Sequence, residues 1–206
     1  MSVNEMKKQI AETIRMYHDR GWSPATSTNY SFKDEEGTIW VSRSGVDKSQ
    51  FSENDFITVN SIGIPIGEYI RIKPSAETLI HCVIYELFPE TKVILHSHSV
   101  FPLLISAVCK YAVEFDGYEV QKGFAGETTH DAIVRIPIFE NTQDMNSFAA
   151  LIKEEIAKIL HHSFIIRKHG TYAWGTSLFE AKRHLETLEY LCQMEIELAR
   201  INKSNF

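Results

Sequence analysis

Lys92-Val93-Ile94-Leu95-His96-Ser97-His98 sets three consecutive apolar residues ahead of two histidines. An unbroken Val-Ile-Leu run of this kind reads as a strand buried on both faces. Such a strand belongs to a layered α/β domain. Residues two apart on a strand share a face, so His96 and His98 can aim their rings at one point. A divalent cation can use such a pair. The plain alternative is two imidazoles satisfied by backbone hydrogen bonds.

Working outward, residues 76–88 form an apolar-periodic run that predicts a helix, with Ser75 as its N-cap and Pro89 beyond its end. Residues 99–109 predict a second helix. Toward the N-terminus, Met6, Ile10, Ile14 and Tyr17 recur at helical spacing, and Gly21 marks that helix's end. Residues 22–31 form a polar stretch. Strands are expected at 38–42 and 56–59, separated by the loop Ser44-Gly45-Val46-Asp47-Lys48. Toward the C-terminus, strands are expected at 133–139 and 163–169, a turn and short strand at 170–175, and helices at 145–160 and 178–201. Residues 117–130 show no clear pattern. Several neighbouring strands lack a crossover helix, which points to a mixed sheet in a single domain, 1–206. Tyr172 and Trp174 read as core aromatics. Arg183, Glu186, Glu189 and Glu195 read as a solvated or subunit-facing helix surface.

Composition narrows the function. The chain has 206 residues, 44% hydrophobic and 23% charged, with a net charge of −6. That balance lacks the basic footprint of a nucleic-acid binder. Cys82, Cys109 and Cys192 are odd in number and widely spaced, which argues against a disulfide framework and a cysteine metal site. No apolar run reaches the roughly 18 residues of a membrane span, and the N-terminus opens no signal region. The cytoplasm is the expected compartment.

A catalytic metal site needs a third ligand and leaves one position open. His169 ends a buried strand and precedes Gly170, which permits a tight turn and close backbone approach. It leads over His81, His130, His161, His162 and His184. Glu77, near a helix start, and Glu119, in the irregular segment, are the candidate acid/base carboxylates. Thr26-Ser27-Thr28-Asn29, Ser44-Gly45 and Ser75 are small polar clusters suited to phosphate oxygens, and equally to turns and caps.

In chain order, Ala25-Thr26-Ser27-Thr28-Asn29-Tyr30-Ser31, Ser44-Gly45, Lys73-Pro74-Ser75-Ala76-Glu77, His96-Ser97-His98 and Lys168-His169-Gly170 resemble the class II aldolase and adducin head-domain family. The resemblance covers nearly the whole chain. It leans toward that family's sugar-phosphate dehydratases through residues 42–48, 137–142 and 169–175, and through Glu119 ahead of Lys122-Gly123. It implies a three-layer α/β/α fold with a mixed central sheet. It implies one zinc ion per subunit on His96, His98 and His169, and a phosphate site from Ser27, Thr28, Asn29, Ser44, Gly45 and Ser75. Glu119 and Glu77 would do the proton transfer, in a homotetramer with sites near subunit interfaces. The implied reaction is loss of water from a ketose phosphate. Aldol cleavage of a sugar phosphate is the alternative, and a non-catalytic module like the adducin heads comes third. The aldolases carry Gly before the asparagine and a second serine before the glutamate, where this chain has Thr28 and Ala76.

Overall fold

The computed structural model describes residues 1–204. Among them, eight strands form one mixed sheet: β1 Tyr30–Lys33, β2 Ile39–Ser42, β3 Phe56–Val59, β4 Val93–Ser97, β5 Ala112–Phe115, β6 Val134–Phe139, β7 Ser163–Ile166 and β8 Gly170–Gly175. Their order is β3-β2-β1-β4-β8-β7-β6-β5. Only β6 and β7 run parallel; every other neighbouring pair is antiparallel. The helices are α1 Val3–Asp19, α2 Thr78–Leu87, α3 Val100–Val108, α4 Met145–Glu154 and α5 Leu178–Ser204.

Strand parity decides which layer each side chain meets. In β4, Ile94 joins the core under α2 and α4, with Trp174 and Phe164. Val93 and Leu95 join the core under α1 and the start of α5. A third cluster fills the space between β5, β6 and the α3–α5 pair. The result is the expected three-layer α/β/α arrangement. Burying one Val, Ile or Leu contributes about 1.5–3 kcal/mol, so Val93-Ile94-Leu95 alone fixes β4 and its phase firmly. The same parity carries His96 toward the α2 face and Ser97 toward the α5 face.

Several details differ from the sequence expectations. The polar stretch, 22–31, runs into a central strand, Tyr30–Lys33: Tyr30 and Phe32 pack toward α1 and Phe56, while Ser31 turns the other way. Its Tyr-Ser-Phe-Lys alternation is only four residues long, too short to stand out. Ser75 does not cap α2. The helix begins at Thr78 with Glu77 in the cap position, and Ser75 instead accepts the Thr78 N–H through its carbonyl at 3.2 Å. Helix α4 stops at Glu154 and continues as a short 3-10 turn, Ile156–Lys158. Glu189 is not on a solvated surface but is 3% exposed, beneath the sheet. The other three charged residues of that set lie at the surface or half-buried. The cysteines are free. Among the described residues no helix is long and apolar enough to cross a membrane.

Candidate metal centre

Three backbone features bring the histidines together. His96 sits next to the end of β4, paired with Tyr172 of β8. His98 lies just past the strand, its N–H donating to the Trp22 carbonyl at 2.8 Å. His169 stands on the turn between β7 and β8, where Lys168 takes the left-handed conformation at φ +53°. The tight turn is therefore at Lys168, and Gly170 supplies the close approach. A Cβ on Gly170 would stand 2.6 Å from His96 Cε1 and 2.7 Å from His98 Cδ2, and would strike the Ser97 carbonyl. The three rings lie 4.7, 4.8 and 5.3 Å apart, centre to centre, and one nitrogen from each falls within 4.8 Å of the others.

The protons in this cluster can be counted. His96 Nδ1–H donates to the Thr171 carbonyl at 3.0 Å, which leaves a lone pair on Nε2. That lone pair faces His98 Nε2 at 2.8 Å and Glu77 Oε2 at 3.2 Å. His169 Nε2 meets Glu77 Oε1 at 2.7 Å, while its Nδ1 lies 3.2 Å from Asn141 Oδ1. Acceptors thus outnumber the protons available between them. A divalent transition-metal cation fits this donor set: three imidazoles with room for a fourth ligand. Burial pushes His96 down to about 4 against the pull of Glu77. Burial pushes His98 down to about 3, with His96 and His169 adding to the effect. Both rings stay neutral, as metal ligands must. For Glu77, burial works upward, but His96 and the hydrogen bonds from His169 and Asn29 hold its carboxyl well below the ordinary range.

Glu77 is gripped from three sides. Besides His169, Asn29 Nδ2 donates to it at 2.6 Å and the Tyr172 hydroxyl at 2.8 Å. Tyr172 also stacks on His96, ring centres 4.1 Å apart. It is buried as expected, yet it is part of the site, whereas Trp174 belongs to the core alone. On the far face of β4, Ser97 and Ser99 both donate to one oxygen of Glu189.

Next to the cluster, one pocket gathers Ser27, Thr28, Asn29, Ser44, Gly45 and Ser75 with Glu77 and His98. Every residue expected at the phosphate site lines it. Ser44 is brought in by its N–H donating to the Lys73 carbonyl at 3.0 Å. Thr28 adopts φ +68°, a conformation natural to glycine, and its hydroxyl turns inward to Ser23 and Tyr30. It therefore offers the pocket its backbone. Sequence reasoning missed Arg43, which lines the same pocket and whose guanidinium is fixed by Asp55 at 2.7–2.8 Å. The positive charge next to Ser44-Gly45 was the available signal.

Glu119 is not brought to this cluster. It begins an exposed 3-10 turn, Glu119–Gly123, and pairs with Lys122 at 2.6 Å and His130 at 3.6 Å. The competing histidines are accounted for elsewhere. His184 Nδ1 bonds the Trp174 carbonyl, His161 lies by Ala125 and Glu127, His162 stacks on Trp174, and His81 bonds Ser31 and Asn29.

The architecture has solved counterparts. YgbL from Escherichia coli superposes with a TM-score of 0.80 at 19% identity, covering 95% of this chain and 90% of that one. An L-fuculose 1-phosphate aldolase superposes at 0.79 with 16% identity, covering 98% and 89%. These matches define the class by fold: an α/β/α domain of the aldolase II type. The chain belongs to the class II aldolase and adducin N-terminal domain family, whose model matches residues 8–196. Among its relatives, a methylthioribulose-1-phosphate dehydratase from Picosynechococcus sp. is 51% identical, covering 95% of this chain and 93% of that protein. A protein of the same name from Xanthomonas campestris is 39% identical, covering 97% and 92%.

Proposed function

We propose that the protein dehydrates 5-methylthioribulose 1-phosphate to 2,3-diketo-5-methylthiopentyl 1-phosphate, a cytoplasmic step of methionine salvage, with one zinc ion per subunit on His96, His98 and His169. The observation that carries this reading is adjacency: His98 lines the pocket that holds the small polar clusters, and Glu77 lines that pocket while touching His96 and His169. A phosphate in the pocket would leave the sugar's ketone end beside the imidazoles. The names of the two relatives support the choice of reaction. We take residues 1–206 as a single domain, since one sheet runs through strands from both halves of the chain.

Zinc held by His96, His98 and His169 would supply a Lewis acid for the C2 ketone, making the C3 hydrogen more acidic. The chain's residues do the rest. Ser27, Asn29, Ser44, Gly45 and Ser75, with the Thr28 backbone and the Arg43 guanidinium, hold the phosphate. Glu119 takes the C3 proton, and that proton then reaches the departing C4 hydroxyl either from Glu119 itself or through Glu77, whose ionised carboxylate accepts it and hands it on. Hydrogen from C3 and hydroxyl from C4 leave as water, and the enol formed tautomerises to the diketone. Within one chain Glu119 lies on an exposed turn, paired with Lys122 and His130. In a homotetramer with sites near subunit interfaces, it serves the site of a neighbouring copy.

The test is product analysis after incubating the zinc-loaded protein with 5-methylthioribulose 1-phosphate. Release of water and the diketone phosphate is expected. Aldol cleavage of a sugar phosphate, with this substrate untouched, would replace the reading with the aldolase one. That second reading has one specific support: the glutamate that the aldolases use, by resemblance, is Glu77, the carboxylate inside the cluster.

A further inference from the structure

Behind Glu77 runs a line of buried polar groups, of which Asn29 also lines the anion pocket while His81, Ser31 and Tyr85 do not. The Tyr85 hydroxyl lies 2.8 Å from Ser31 Oγ, and Ser31 Oγ lies 2.7 Å from His81 Nδ1. His81 Nε2 meets Asn29 Oδ1, and Asn29 Nδ2 reaches Glu77 Oε2 at 2.6 Å. Ser31, Tyr85 and His81 are all at most 5% exposed. They come from β1 and α2, two elements that face each other only because β1 takes a central place in the sheet.

The direction of every bond follows from Glu77. An ionised carboxylate can only accept, so the amide nitrogen of Asn29 faces it. The amide oxygen then faces His81, so His81 must donate from Nε2. A neutral imidazole with Nε2–H accepts at Nδ1, so Ser31 donates there. Ser31 has one hydrogen, so Tyr85 donates to Ser31. All four donors point toward Glu77, and each bond in such a line strengthens the next.

We infer that His81 is a positioning residue: its Nε2–H locks the Asn29 amide, and through it holds the Glu77 carboxylate as an oriented acceptor for proton transfer. This rests on the role given to Glu77 above. The function follows from asymmetry. With His81 in the opposite tautomer, or absent, the Asn29 amide is free to flip. Its oxygen would then oppose Glu77, and the carboxylate would lose one of its three donors.

Two experiments test this. Long-range proton–nitrogen NMR on zinc-loaded, ¹⁵N-histidine-labelled protein reads the tautomer of His81 without any turnover. Protonated Nε2 with bare Nδ1 is expected, and protonated Nδ1 or a doubly protonated ring overturns the inference. A protein with no dehydratase activity would sink the proposed function while this readout still stands. In kinetics, His81→Phe is expected to keep stoichiometric zinc and lower kcat by about 10–100-fold, the usual cost of losing a supporting partner of a metal site, with little change in KM. His81→Gln, whose amide N–H falls near Nε2, should recover most of that loss. Unchanged kcat in His81→Phe, or a glutamine variant as poor as the phenylalanine one, contradicts it. Should His81→Phe fail to fold, Tyr85→Phe removes only the outermost hydroxyl, and an unchanged kcat there equally contradicts the line.

Discussion

Glu77 and Glu119 carry the same functional group in opposite settings. The Glu77 side chain is 12% exposed and held by Asn29, Tyr172 and His169. The Glu119 side chain is 71% exposed on a short turn, with Lys122 holding its carboxyl below the ordinary range. A carboxylate fixed by buried donors has its role set by its own chain. One resting on a surface turn has its role set by whatever packs against that turn. The contrast separates the half of the chemistry that a single copy can assemble from the half that a second copy would complete.

The largest expected effect strikes the side that one chain assembles. His169→Ala should abolish zinc loading and activity together. Gly170→Ala should do nearly the same by forcing apart the ligands around its new Cβ. A fully loaded Gly170→Ala protein, measured by metal analysis, would show that the close approach is unimportant.

Next comes the other side. Glu119→Gln should retain stoichiometric zinc yet lose about 10²–10⁴-fold in kcat. Mixing it with a His96→Ala protein under conditions of subunit exchange should restore activity, because some sites would pair an intact cluster with an intact Glu119. Failure of the mixture to recover any activity would place Glu119 at its own chain's site or at none.

A smaller effect is expected in the pocket. Arg43→Ala should raise KM by about 10–100-fold with kcat little altered, since a phosphate contact binds ground state and transition state alike. A fall in kcat alone would move Arg43 into the chemistry.

The smallest concerns the buried support under β4. Burial lifts Glu189 to about 7 against its hydrogen bonds from Ser99 and Ser97. Its folded value lies above the unfolded one, about 4.3. Its contribution is therefore complete below about pH 4.3 and is lost as pH rises through about 7, roughly 3–4 kcal/mol in all. Glu189→Gln keeps an acceptor for both serines and removes the titration. Its Tm relative to the unaltered protein should climb between pH 5 and 8. A flat difference would mean that Glu189 titrates normally.

Much of this was legible in the residues. The Val93-Ile94-Leu95 run marked the buried strand, and its period of two put His96 on the face of the histidine cluster. The ordered set of short motifs named six residues that line one pocket together. What stayed hidden depends on partners distant in the chain. Glu189 looks like any helix-surface charge until Ser97 and Ser99 stand opposite it. His81 looks like a packed helix histidine because β1, which brings Ser31 and Asn29 to it, is too short to stand out. Tyr172 reads as core because burial is visible in an aromatic strand and the direction of its hydroxyl is not. Glu119 was read for its neighbours in sequence, which say nothing about where its turn faces.

The most direct test of the metal centre is X-ray absorption at the zinc edge on the purified, loaded protein. Three imidazole nitrogens at about 2.0–2.1 Å with one oxygen neighbour are expected, falling to two imidazoles or to no bound zinc in His169→Ala. Sulfur neighbours, or a spectrum untouched by that substitution, would contradict it.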